Sequence, residues 1–215
     1  MTGRRALLAL TAAMPLPLAA QELTQAQILL LETPHLAALQ PPLRLDYDFL
    51  READGAPSVL DSIRLAVTEG AEPGRRDVAP EFLTGPRAIR FPSAQGFRGN
   101  PLLLYALDRA QRELAAATGG APDWFRNRIR RALAEGATTR TVALPFDAAE
   151  VPAHEIVCTP FVREPRARRY QDCRFRFVLA EAVPGWIAEF ATDLPAGEGG
   201  GAVRESIRFA AAVPL

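Results

Sequence analysis

Apolar and polar positions follow a period of two near both ends of the chain and a helical period in between. Leu43, Leu45, Tyr47 and Phe49 alternate with Arg44, Asp46 and Asp48, the pattern of a half-buried strand. Ile63, Leu65 and Val67 repeat it beyond the turn-rich residues 53–57, which predicts a hairpin. Weaker strand signals lie at 78–83 and 88–91, either side of Thr84-Gly-Pro86. The helical centre is clearer. Asn100-Pro101 supplies an N-cap followed by proline, and Gly119-Gly120 supplies the stop. Leu103, Leu107, Ala110, Leu114 and Ala117 form one apolar stripe between them. A second helix over 123–136 buries Phe125, Ile129 and Leu133, with Arg126, Arg128, Arg130 and Arg131 opposite. The short link through Gly119-Gly-Ala-Pro122 makes the two helices antiparallel neighbours.

The strand period then returns. Val142, Leu144 and Phe146 mark one strand, and 155–161 marks another, broken by Pro160. Cys173, Phe175, Phe177 and Leu179 line one face of the strongest strand, opposite Arg174 and Arg176. Val183-Pro-Gly185 predicts a type II turn. Trp186, Ala188 and Phe190 continue on the next strand, and Val203, Glu205, Ile207 and Phe209 close the series after a glycine-rich loop. Strands, a helical hairpin and more strands predict an α+β fold. Its architecture is a curved, half-barrel-like antiparallel meander packed by a central helical hairpin. Residues 21–215 are expected to form one domain, which opens with a short helix or docking arm that Pro34 ends.

Residues 1–20 add a destination. Arg4 and Arg5 precede an apolar run over 6–13, and Leu18-Ala-Ala20 precedes Gln21, the layout of a secretory signal cleaved after Ala20. The run is shorter than the ~20 residues a membrane span needs. Arg4-Arg5-Ala-Leu-Leu8 partly matches the twin-arginine pattern, but Gly3 stands where serine or threonine is usual, so the general secretory route fits better. The expected location is therefore the periplasm or beyond.

Composition narrows the chemistry. All 25 basic residues are arginines, which excludes Schiff-base, phosphate-loop and Ser–Lys chemistry. Beyond residue 20, 23 arginines face 25 carboxylates, a balance that argues against a general nucleic-acid binder. His35, His154, Cys158 and Cys173 could supply a metal set on paper, but their spacing matches no zinc motif, and no metal or cofactor is expected. His154 and Cys158 share a strand face about 13 Å apart, too far to act as a dyad. Cys158 and Cys173 face each other if 164–167 is a two-strand turn, which leaves either a disulfide or two buried thiols.

Leu31-Glu-Thr-Pro-His-Leu36, Gly96-Phe-Arg-Gly-Asn-Pro101, Trp124-Phe-Arg-Asn-Arg-Ile129, Phe177-Val-Leu and Val183-Pro-Gly185 resemble a group of uncharacterised exported proteobacterial proteins. The order of elements is similar, more remotely, to periplasmic half-barrel carriers of lipoproteins and lipids. Neither resemblance implies a catalytic residue. Two patches remain as candidate binding surfaces. Phe175, Phe177, Trp186 and Phe190 could line an apolar pocket. Arg168, Arg169, Arg174 and Arg176, within a basic stretch that starts at Arg163, could hold an anionic group. The leading expectation is a non-enzymatic periplasmic binder of a lipid, acyl chain or other amphiphile. The alternative is an envelope protein–protein interaction module that uses the 31–39 arm or the arginine-bearing helix.

Overall fold

The two strand-rich stretches form two antiparallel meanders that meet in one nine-stranded sheet. The computed structural model describes residues 22–198 and 200–215; the signal expected at 1–20 lies outside them. The first meander is β1 (Leu43–Ala53), β2 (Ala56–Glu69), β3 (Arg76–Phe82) and β4 (Ala94–Phe97). The second is β5 (Thr138–Phe146), β6 (Ala149–Cys158), β7 (Arg174–Leu179), β8 (Ile187–Leu194) and β9 (Val203–Pro214). The strand order is β4-β3-β2-β1-β9-β8-β7-β6-β5, so the first and last strands join the halves. The sheet is open but curls: the Phe146 ring on β5 lies 6.1 Å from Phe209 on β9, across three intervening strands. This is the expected α+β fold with a curved sheet.

Helical elements cover one face. A short helix, α1 (Gln25–Gln27), carries a capping box from Thr24 and runs into a π-helical turn. The main pair, α2 (Leu102–Thr118) and α3 (Pro122–Glu135), connects the meanders. The side-chain carbonyl of Asn100 accepts the Leu102 N–H at 3.0 Å, and Gly119 ends α2 in the left-handed conformation at φ 73°. Leu103, Ala110 and Leu114 are buried as expected. Leu102, Tyr105, Ala106 and Ala115 widen the stripe, because α2 packs on both the sheet and α3. Leu107 is half-buried and Ala117 is exposed. On α3, Phe125, Ile129 and Leu133 are all buried, and Phe125 meets the Phe161 ring edge-on.

Three local expectations are corrected. Residues 88–91 are not a strand: Gly85–Arg87 is a 3₁₀ turn, Ile89 makes a single bridge to Phe82, and β4 starts only at Ala94. Pro92 has no N–H to donate to a ladder there. The β6–β7 connection is no tight turn. Pro165–Asp172 is a 3₁₀ segment kinked at Arg168, where φ is 52°, and it shifts the register so that Cys158 faces Phe175. Cys173 stands two residues short of that position; both cysteines are buried and free, so the disulfide reading fails. Finally, Trp186 precedes β8 with φ 65°, and a bulge follows. Ile187 and Phe190 are therefore buried, and not the expected set of 186, 188 and 190.

The turn before β8 forms as expected. Trp186 N–H donates to the Val183 carbonyl at 2.7 Å, and Gly185 has φ 76°. A side chain at Gly185 would also lie 2.8 Å from Leu45 and 2.9 Å from Asn100, so the position requires glycine twice over.

Candidate functional site

A cavity of about 560 Å³ lies between the sheet and α2. The period-two pattern places Phe49 and Arg51 of β1, Thr192 and Leu194 of β8, and Val203 and Glu205 of β9 on the same face of the sheet. Phe175 of β7 adds an aromatic wall. From above, α2 presents Arg109, Ala110, Glu113 and Leu114. Ala116 and Ala117 also line the space, and their short side chains leave it unfilled. The flanks are Leu83, Arg87 and Ile89 after β3, and Tyr170 and Cys173 before β7.

Four charged groups meet in this wall. Arg109 donates to both oxygens of Glu205, at 2.6 and 3.1 Å, and its guanidinium lies 4.8 Å from the centre of the Phe49 ring. Its second nitrogen also donates to Glu113, one turn further along α2, at 2.6 Å. Arg51 donates to Glu205 and lies 3.8 Å from Glu113. Burial alone would push the Glu205 carboxyl up, but bonds from Arg109 and Arg51 outweigh it and hold the group below the ordinary value. Glu113 goes the other way: burial and the neighbouring Glu205 charge raise it despite both arginines. Arg87 is committed elsewhere, to Asp61 at 2.7 Å.

A second polar cluster sits at the start of α2. The Asn100 side chain donates to Tyr47 Oη and to the Gly185 carbonyl, each at 3.0 Å. Its backbone N–H donates to His35 Nδ1 at 3.1 Å, and His35 Nε2 lies 2.7 Å from the Leu29 carbonyl. Nε2 therefore carries the proton, and both ring nitrogens are used. Burial lowers the His35 pKa, opposed by the Leu29 hydrogen bond. His35, Asn100 and Gly185, from three separate parts of the chain, converge here.

Of the four aromatics expected at an apolar site, Phe175 lines the cavity. Phe177 pairs with Phe190 beside it, their rings 5.1 Å apart, and Trp186 sits 5.9 Å from His35. The four arginines are not brought together. Arg168 is exposed, and Arg169 stacks over Tyr170 at 5.7 Å and donates to the Gly201 carbonyl. Arg174 faces Asp193, while Arg176 joins Glu155 and Glu189 on the opposite face of the sheet from the cavity. There Arg208, Glu189, Arg176, Glu155 and Arg140 form an alternating ladder across five strands. The sequence reading missed Arg109, Glu113 and Glu205. Arg109 and Glu113 are four residues apart on α2, and an arginine inside an otherwise apolar helical face was the available signal.

No family model matches the chain, and no curated protein sequence does. Among solved structures, a LolA superfamily protein from Nitrosomonas europaea is similar over 89% of this chain and 94% of that one, at 11% identity and a TM-score of 0.24. A likeness of that strength transfers no ligand and no location. No helix among the described residues is long and apolar enough to cross a membrane.

Proposed function

We propose that the protein is an exported, non-enzymatic binder that takes an apolar or amphipathic molecule, such as a single acyl chain, into the cavity beneath α2. The observation that carries this reading is the cavity itself. Its volume of about 560 Å³ falls in the ~300–1,000 Å³ range of small-molecule sites, and its walls are mostly aliphatic and aromatic with one charged corner. The chemistry of the lining favours binding over catalysis. Cys173 is its nucleophile candidate, and burial pushes that thiol up to about 12, so it is not a thiolate at neutral pH. Neither histidine lines the cavity, and both carboxylates on its wall, Glu113 and Glu205, are engaged by Arg109.

A saturation titration of the delipidated protein with laurate, read by native mass spectrometry, tests the reading. One-to-one binding is expected, and Ala117→Trp, which fills the space from an exposed helical position, should weaken it at least tenfold. Absence of binding below roughly millimolar concentration, equivalent to about 4 kcal/mol, or indifference to Ala117→Trp, overturns it.

A further inference from the structure

We propose that Glu113 holds the place of a ligand's anionic head: a carboxylate or phosphate on a bound amphiphile displaces the Glu113 carboxylate from Arg51 and Arg109. The inference rests on the cavity being a ligand site. It starts from an asymmetry between the two carboxylates that share these arginines. Glu205 is buried, chelates Arg109 with both oxygens and also receives Arg51, so it is fixed in the wall. The Glu113 side chain is 46% exposed, touches Arg109 through one oxygen at 2.6 Å and stands 3.8 Å from Arg51. Glu113 keeps contact with solvent, so it can swing out without stranding its charge, and a ligand anion in its place leaves the buried Arg109 paired.

Charge and shape agree with an anion. Arg51 and Arg109 against Glu205 and Glu113 sum to zero; with Glu113 swung out, one positive charge is left in the cavity corner. Guanidinium groups suit the planar or tetrahedral oxygens of carboxylate and phosphate. An apolar tail entering from that corner would run along Phe49, Leu114, Leu194 and Val203. The ionisable groups around Glu113 are Arg109 on its own helix, Arg51 from β1 and Glu205 from β9, with Arg87, Tyr170 and Cys173 elsewhere on the wall. Burial and the Glu205 charge raise the Glu113 pKa against the pull of both arginines, so the carboxylate takes up a proton more readily than an ordinary glutamate.

The test uses two ten-carbon probes on the full mature chain, decanesulfonate, which stays charged across the pH range, and uncharged 1-decanol, both below micellar concentration in calorimetric titrations. Glu113→Gln and Glu113→Ala should bind decanesulfonate at least threefold more tightly than the parent at pH 7.5, with 1-decanol unchanged. In the parent, decanesulfonate affinity should rise as pH falls and Glu113 takes up its proton; in both variants that rise should vanish. Arg51→Gln, at a half-exposed position, should weaken decanesulfonate at least threefold and leave 1-decanol alone. If 1-decanol binds but none of the variants changes decanesulfonate affinity, the role of Glu113 is overturned while the cavity stands as a ligand site. If neither probe binds, the ligand site itself is overturned.

Discussion

Two polar clusters lie beneath α2, and they differ in kind. The Asn100 cluster is neutral, sealed and spends each polar group on a neighbour: a helix start, a turn carbonyl, a tyrosine hydroxyl and a histidine. The Arg109 cluster is charged, borders a cavity and includes one carboxylate that is half exposed. The first ties α2, β1, the β7–β8 turn and the N-terminal arm into one arrangement. The second is poised at a surface that another molecule can reach. Buried polarity thus holds elements together at one end of the helix, and further along it borders the cavity proposed above as a binding site.

Mutation should separate the two. The largest loss is expected for Arg109→Met, which strips Glu205 of its bidentate partner and should cost about 3–5 kcal/mol in a denaturant melt. The double variant Arg109→Met with Glu205→Met should recover most of it, because removing both charges removes the desolvation penalty as well. A double variant as unstable as the single one would show that the pair, and not its burial, holds the fold. Asn100→Ala comes next. It uncaps α2 and leaves the Gly185 carbonyl and Tyr47 hydroxyl short of a donor, for a loss of about 2–4 kcal/mol. Its ligand affinity, measured at a temperature where it is folded, should match the parent; a large change there would erase the division between the clusters.

The smallest effect concerns pH. Because burial lowers the His35 pKa, the unfolded chain binds its proton first as pH falls. Stability should be full above the unfolded value of about 6.5 and decline below it, by up to ~1.4 kcal/mol per pH unit, until the folded-state value is passed. His35→Gln cannot take up the proton and should flatten most of that slope in melts between pH 7 and 5. An unchanged slope would place the sensitivity in another group.

Much of this organisation was legible in the sequence wherever a local rule decided it. Asn100 and Gly119 mark the ends of α2 because capping and left-handed geometry are properties of single residues. The alternation around Tyr47 and Ile63 gave the β1–β2 hairpin for the same reason. The errors came where one residue's placement depended on a distant partner. The turn between β6 and β7 looked tight, yet it coils as a 3₁₀ segment, which moved Cys158 from Cys173 to Phe175. A one-residue bulge before Phe190 took Trp186 out of the strand pattern. The arginine-rich strand drew attention to Arg174 and Arg176, whose charges are met by Asp193, Glu155 and Glu189 across the ladder. The cavity corner joins β1, α2 and β9, and no short window of sequence contains all three.

The joint between β1 and β9 also governs how the chain reaches this shape. Leu43 lies opposite Pro214, and the Leu215 N–H donates to the Pro42 carbonyl at 3.2 Å, closing a ring of roughly 170 residues. Such a closure carries a chain-entropy cost on the order of 4–5 kcal/mol beyond that of the local hairpins. Each meander can assemble from adjacent hairpins, but the two halves unite only after the final strand is made, so this high-contact-order step should set the folding rate. Until then β1 shows an unpaired edge, the kind that recruits other chains. The last dozen residues are thus the seam of the molecule, and trimming them would part its two halves.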